Sequence, residues 1–218
     1  MSDWLTWQII DSAFPTGGFA HSCGLEAAWQ HGEIRDARDL RHFLHASVQQ
    51  AAFGSLPLVN AAYRDPDRLE RLDARAEAFL LNPVANRASR IQGRTLVATV
   101  ARVWPSPAVT ALSGRAARTC AHAAPLTGAV FGAIGLPLTT VQQVVLFGTA
   151  RSILAAAVRL GIAGSFEAQQ LQARCAPWLD ELLHRGATLD VEDLVQTSPI
   201  ADILQARHDR LYSRLFQS

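Results

Sequence analysis

Residues Thr119–Ala150 read TCAHAAPLTGAVFGAIGLPLTTVQQVVLFGTA, a stretch with no Asp, Glu, Lys or Arg. A run this apolar must be covered, either by the rest of the chain, by a second subunit or by lipid. Lipid is the poorest fit. Pro125, Pro137, four glycines and the Gln142, Gln143 pair interrupt the apolar run well short of the roughly 20 residues that a span requires. The alternative is a pair of core helices. Apolar residues continue on all sides through Val144, Val145, Leu146, Phe147, Ile153, Leu154 and Val158, the pattern of a central helix covered all round. The same stretch would also serve as a subunit interface.

Outward from this centre the chain alternates at helical period. Leu40, Phe43, Leu44, Ser47, Val48 and Ala51 recur after Asp36, an N-cap residue type. Leu69, Leu72, Ala76, Phe79 and Leu80 follow Asp65 and Pro66, a cap-then-proline start. Asn82 and Pro83 open a helix running toward Trp104, Thr140 is placed to cap the central apolar helix ending at Gly161, and Ser198 with Pro199 opens the last one. No run sustains the alternation of a strand, and breaks rich in Gly, Pro or Ser at 14–18, 54–57, 104–107, 135–138, 161–165 and 186–189 are too short for flexible linkers. The expected fold is all-α: one helical bundle of about eight to ten helices over residues 1–218, with a docking segment at about 199–218.

Composition narrows function. With 218 residues, 49% of them hydrophobic, the chain can bury a sizeable core, and 18% charged residues do not suit a disordered chain. Net charge is +1, every basic side chain is an arginine, and the arginines are scattered, so there is no field to draw nucleic acid. Cys23, Cys120 and Cys175 are odd in number and far apart, with no pair at metal-ligand spacing. That argues against zinc and disulfide scaffolds and for thiols in a reducing compartment. The start, with Asp3 and a helical Trp4, Leu5, Ile9 pattern, lacks the features of a secretory signal, so a cytoplasmic location is expected.

The only dense cluster of reactive side chains lies in Phe14–Glu26, where a glycine turn leads through His21 and Ser22 to Glu26. It lacks the spacing and the lysine of a phosphate cradle, and adjacent His21 and Ser22 on a helix would point about 100° apart, so a structural turn with polar caps is favoured over a catalytic pair. His42 and His45 have the three-residue spacing of a partial metal site, but no acidic or thiol partner follows at helical spacing. Arg87, Arg90 and Arg94 line one helix face, suited to a solvated surface or to an acidic or phosphate partner. Arg151 and Arg159 lie about 80° apart on the most apolar helix and therefore need a partner, a carboxylate or a docking protein.

The end of the chain departs from the usual polar, fraying tail. Pro199–Ser218 carries Arg207, Arg210 and Arg214 among Leu211, Tyr212, Leu215 and Phe216, residue types that concentrate in binding surfaces. Ile200, Ile203, Leu204, Leu211 and Leu215 form a helical stripe that should pack inward, leaving Arg207, Arg210, Tyr212 and Arg214 outward.

Three stretches together resemble the UreF family of urease accessory proteins: Pro15, Thr16, Gly17, Gly18, Phe19 with His21, Ser22, Gly24, Leu25 and Glu26; Ala157–Gly161; and Ala206, Arg207, His208 followed by Leu211–Phe216. Small departures are Cys23, at a slot that looks variable in the family, and Asp209 and Gln217, where Glu and Arg are expected. The resemblance implies an all-α homodimer without catalysis of its own, which bridges UreD (also called UreH) and the GTPase UreG so that nickel reaches apo-urease. It implies no stably bound cofactor and no resident metal, with nickel at most in transit, and no nucleic-acid or membrane partner. Its partner-binding residues would be Pro15, Gly17, Gly18, Phe19, His21, Ser22, Glu26, Arg159, Arg207, His208, Leu211, Tyr212, Arg214 and Phe216, the C-terminal set toward UreD and Arg159 toward UreG. Two other readings stay open: a GTPase-activating protein supplying an arginine to UreG, and an α-helical hydrolase using His21 and Ser22.

Overall fold

The structure, a computed structural model, describes residues 3–218. Among the described residues there is no strand. Eleven α-helical segments follow one another: α1 (Trp4–Ile10), α2 (Leu25–Gln30), α3 (Ala37–Gln50), α4 (Leu56–Arg64), α5 (Leu69–Phe79), α6 (Pro83–Val103), α7 (Pro107–Ala116), α8 (Ala123–Ala133), α9 (Leu138–Arg159), α10 (Ser165–Gly186) and α11 (Pro199–Ala206). The chain does not break between α3 and α4. A π-helical turn, Ala51–Ser55, joins them, which makes ten rods of the eleven segments.

The caps explain where several helices begin. Asp36 accepts from Arg38 N and Asp39 N to start α3, and Asn82 accepts from Val84 N and Ala85 N to start α6. Asp65 accepts from Asp67 N, but the turn it caps is a 3-10 turn over Pro66–Arg68 that leads into α5. Thr140 caps nothing. The central helix begins earlier, at Leu138 after Pro137, whose fixed φ starts it without a side-chain bond. Ser198 stands at the N-cap position of α11, yet its hydroxyl donates to Ala46 O, so it ties α11 to α3 instead.

Two apolar clusters share α9. One gathers α4 to α8 with the start of α9, around Leu58, Leu72, Val100, Leu126 and Phe131; the other gathers α2, α3, α10 and the rest of α9, around Leu40, Leu44, Ile153 and Leu182, and includes Phe216. α8 packs closely on α4 in the first cluster. Gly128 lies so close to α4 that a Cβ there would stand 2.1 Å from Val59 O, and Gly132 faces the Tyr63 ring. α9 is the one helix among the described residues long and apolar enough to cross a membrane, and its Val141, Leu146, Ala150, Ile153 and Ala157 side is packed inside the bundle. It is not covered all round: Gln143, Ala155 and Val158 face outward. Gln142, on the buried side, donates to Asn60 Oδ1 (2.7 Å), and Asn60 donates to the Gly186 and Leu189 carbonyls (3.0 and 2.9 Å). Two buried amides thus satisfy each other and fasten the segment after α10.

Candidate functional site

The chain approaches α2 through residues that need a left-handed backbone: Gly17 (φ 77°), then Cys23 (φ 54°) and Gly24 (φ 87°). At Gly24 a Cβ would come within 2.8 Å of Gln205 Cβ, so the turn can lie flat against α11 only as glycine. This path puts His21, Ser22 and Glu26 inside the protein, with exposures of 3, 0 and 1%.

They face the last residues of the chain. Ser22 donates from both N and Oγ to Ser218 O (2.6 and 3.0 Å), Gln217 N donates to Ala20 O (2.8 Å), and His21 Nδ1 lies 2.6 Å from Ser218 Oγ. The buried Glu26 carboxylate accepts from Leu215 N (2.6 Å), Phe216 N (3.1 Å) and His208 Nε2 (3.0 Å). Behind them, the Arg159 guanidinium at the last turn of α9 lies over the Phe216 ring, 4.2 Å from its centroid. Residues from positions 21–26, 159 and 208–218, distant in sequence, therefore form one polar knot.

The knot decides the course of the tail. α11 ends at Ala206, His208–Arg210 make a 3-10 turn, and the remainder is irregular, so the long helical stripe expected through Leu215 does not form. Backbone groups that a helix would have paired internally are given instead to Glu26 and Ala20. The inward residues are His208, Phe216 and Ser218, whereas Ile200, Ile203 and Leu215, expected inside, are 74, 64 and 53% exposed. Leu211 is half-buried. Arg207, Arg210, Tyr212 and Arg214 point outward as expected, Tyr212 fully so. Arg87 on α6 clamps the turn from outside through Asp209 (2.8 and 3.0 Å), which Arg214 approaches at 3.5 Å.

Pro15 is exposed, and its carbonyl accepts from Thr99 Oγ1. Gly18 opens a 3-10 turn; the side chain of Phe19 lies outside the described residues. The glycine turn and the outward side of α9 enclose a cleft of about 680 Å³, lined among others by Gly17, His21, Phe147, Arg151, Arg159 and Phe216. Arg151 donates to Ile10 O, a carbonyl in place of the expected carboxylate.

Burial in the knot lowers the pKa of His21, and the neighbouring His208 and Arg87 lower it further. His21 Nε2 and His208 Nδ1 are buried without a hydrogen-bond partner among the described residues. His21 and Ser22 do not bond each other; Ser22 Oγ is engaged by Ser218 O and Glu26 N. His42 and His45 do not form a metal pair: His45 stacks on Trp178 at 4.2 Å while His42 is exposed. Of the arginine row, Arg87 holds the tail and Arg94 reaches Cys120 O at 3.4 Å. Sequence reading missed one cluster. Glu77, Cys120 and His122 bring their ligand atoms within 4.8 Å of one another, a grouping that a search for paired cysteines passes over.

Residues 34–176 match the UreF family model. Over 99% of its length the chain is 37% identical to urease accessory protein F of Arabidopsis thaliana, covering 92% of that protein. It is 35% identical to the urease accessory protein F of Oryza sativa subsp. indica over 98% of the chain and 84% of the relative, and 31% identical to UreF of Xanthobacter autotrophicus over 99 and 88%. On the family model and on these near full-length relatives, the chain belongs to the UreF family of urease accessory proteins.

Proposed function

We propose that this chain is a non-catalytic scaffold that bridges UreD and UreG while nickel is delivered to apo-urease. The observation that carries it is the tail. Its backbone and its His208, Phe216 and Ser218 are fixed inside the protein, and this holds Arg207, Arg210, Tyr212 and Arg214 outward in a set arrangement. A backbone already held in place lowers the ordering cost of docking, and arginine and tyrosine are the types that dominate binding hot spots. UreD is the proposed partner at this face, and UreG at the cleft beside Arg159. The homodimer and the cytoplasmic location belong to the same proposal. Phe131 and Leu146 are buried within the subunit, so a dimer would use surface other than the uncharged core.

A second reading is favoured by one observation: Arg151 and Arg159 line the same cleft, where either could be offered to a nucleotide bound by UreG. Single-turnover GTP hydrolysis by UreG with and without the chain tests both. Scaffolding predicts complex formation with a change in rate of less than about tenfold, whereas an arginine supplied in trans predicts about 10³-fold or more. If neither UreD nor UreG co-elutes with the purified chain, the bridging reading is wrong.

A further inference from the structure

Cys120 and His122 sit on either side of Ala121, which adopts φ 64°, a left-handed backbone that disfavours any residue with a Cβ. Such a residue is strained and persists only where its surroundings impose it. Here three residues on two helices impose it. Asp73 on α5 accepts from Cys120 N (2.8 Å) and His122 N (2.7 Å). Arg94 on α6 reaches Cys120 O, and Gly93 lets α6 press on the same peptide: a Cβ there would lie 2.0 Å from Ala121 O.

The result is a rigid Cys-Ala-His corner aimed at Glu77. The Cys120 thiol, a His122 ring nitrogen and the Glu77 carboxylate converge within 4.8 Å, with His122 Nε2 at 2.7 Å from Glu77 Oε2. A supporting layer surrounds them. Asn86 Nδ2 donates to Glu77 Oε2 (3.1 Å), and Ser89 Oγ lies 3.1 Å from His122 Nδ1 while accepting from Ala123 N. An ion pair between His122 and Glu77 needs neither a thiol nor a strained peptide to deliver it. One sulfur, one nitrogen and one oxygen from three residues, with each ligand oriented by a neighbour, is the donor set of a borderline-soft cation.

We propose that Glu77, Cys120 and His122 bind a divalent transition-metal ion of the zinc, cobalt and nickel class, with the remaining coordination position open toward solvent. His122 would ligate through Nε2, its Nδ1–H donating to Ser89 Oγ. The His122 side chain is fully buried, but that of Glu77 is 42% exposed and free to swing back, which admits an ion at bond lengths of about 2.0–2.3 Å. Binding releases the thiol proton to solvent, and the single proton of the neutral imidazole moves to Nδ1. The inference does not depend on the bridging function, because it concerns the isolated chain.

The test is titration of the purified, chelator-stripped full chain with Co²⁺, followed by displacement with Zn²⁺. The expected result is saturation at a single equivalent with a thiolate-to-cobalt charge-transfer band, lost in Cys120→Ser and kept in Cys23→Ser and Cys175→Ser. Glu77→Gln, at a half-exposed position where an amide can still accept from His122, should weaken binding by at least about tenfold without altering the melt. Ser89→Ala should weaken it by about 10- to 100-fold. Absence of the band, its survival in Cys120→Ser, or unchanged affinity in Glu77→Gln would each overturn the proposal.

Discussion

α8 and the C-terminal segment are both held against the body of the molecule, but by different forces. α8 is held by area and shape. Leu126, Ala129, Val130 and Phe131 are buried apolar side chains, and Gly128 lets the helix approach α4 to backbone contact. The tail is held by directed polar bonds to single atoms, three of them to Glu26. Area tolerates change in proportion to volume, whereas a buried polar knot fails all at once when a shared acceptor is removed, because each donor left behind keeps its desolvation cost. The core therefore serves stability, and the knot sets where the tail's surface lies.

The contrast is sharpest at Glu26. Glu26→Ala strands His208 Nε2 and two backbone N–H groups in the interior, and should cost about 3–5 kcal/mol, read from chemical denaturation. Proteolysis of the variant should begin in 207–218 while α8 stays protected. A loss below about 1 kcal/mol would mean that the tail is held by Phe216 alone.

Gly128→Ala attacks the other region. Its Cβ would meet backbone, not a flexible side chain, so α8 must move away from α4 at a cost of about 1–3 kcal/mol. The tail should remain docked, and hydrogen exchange at Leu215 and Phe216 should keep its rank relative to α9. Equal loss of protection in both regions would show that they are not separable.

The third way to divide them is pH. His21 is held below its ordinary value near 6.5 by burial first, so the unfolded chain binds this proton more readily than the folded one. Its neutral form supports the fold above pH 6.5, and that support is lost as pH falls below it. Melting temperature should drop by a few degrees between pH 7.5 and 5.5, and His21→Asn should flatten the slope. Gly128→Ala leaves His21 and its neighbours in place, so it should keep the wild-type slope.

The difference between the regions also explains what could be read in advance. The absence of charge from Thr119 to Ala150 is a local property, and so are the caps at Asp36 and Asn82; both caps and the pair of core helices came out as expected, though α9 is not covered on every side. The end of α11 is not local. Nothing near Ala206 breaks a helix; the competitor is a carboxylate at Glu26, about 180 positions earlier in the chain, that claims the backbone N–H groups of Leu215 and Phe216. Helical phase placed Arg210 and Tyr212 outward and Ile203 and Leu215 inward; the first two are outward because a charge or a phenol favours solvent wherever the backbone runs, whereas Leu215 lies beyond the end of the helix and Ile203 is exposed within α11. Glu77 joined Cys120 and His122 unseen for a similar reason: the corner at Ala121 is made by Asp73 and Gly93, and no spacing rule contains them.

If the buried knot presents a docking surface, as proposed, surface and fold can be uncoupled. The direct measurement is size-exclusion co-elution with purified UreD of the combined variant Arg210→Ala, Tyr212→Ala, Arg214→Ala, alongside its thermal melt. These three side chains are exposed and lie outside the hydrogen bonds to Glu26 and Ser22, so the melt should match wild type within a degree or two, while hot-spot losses of about 2 kcal/mol each should remove the complex. Undiminished co-elution with UreD at an unchanged melt would contradict the account.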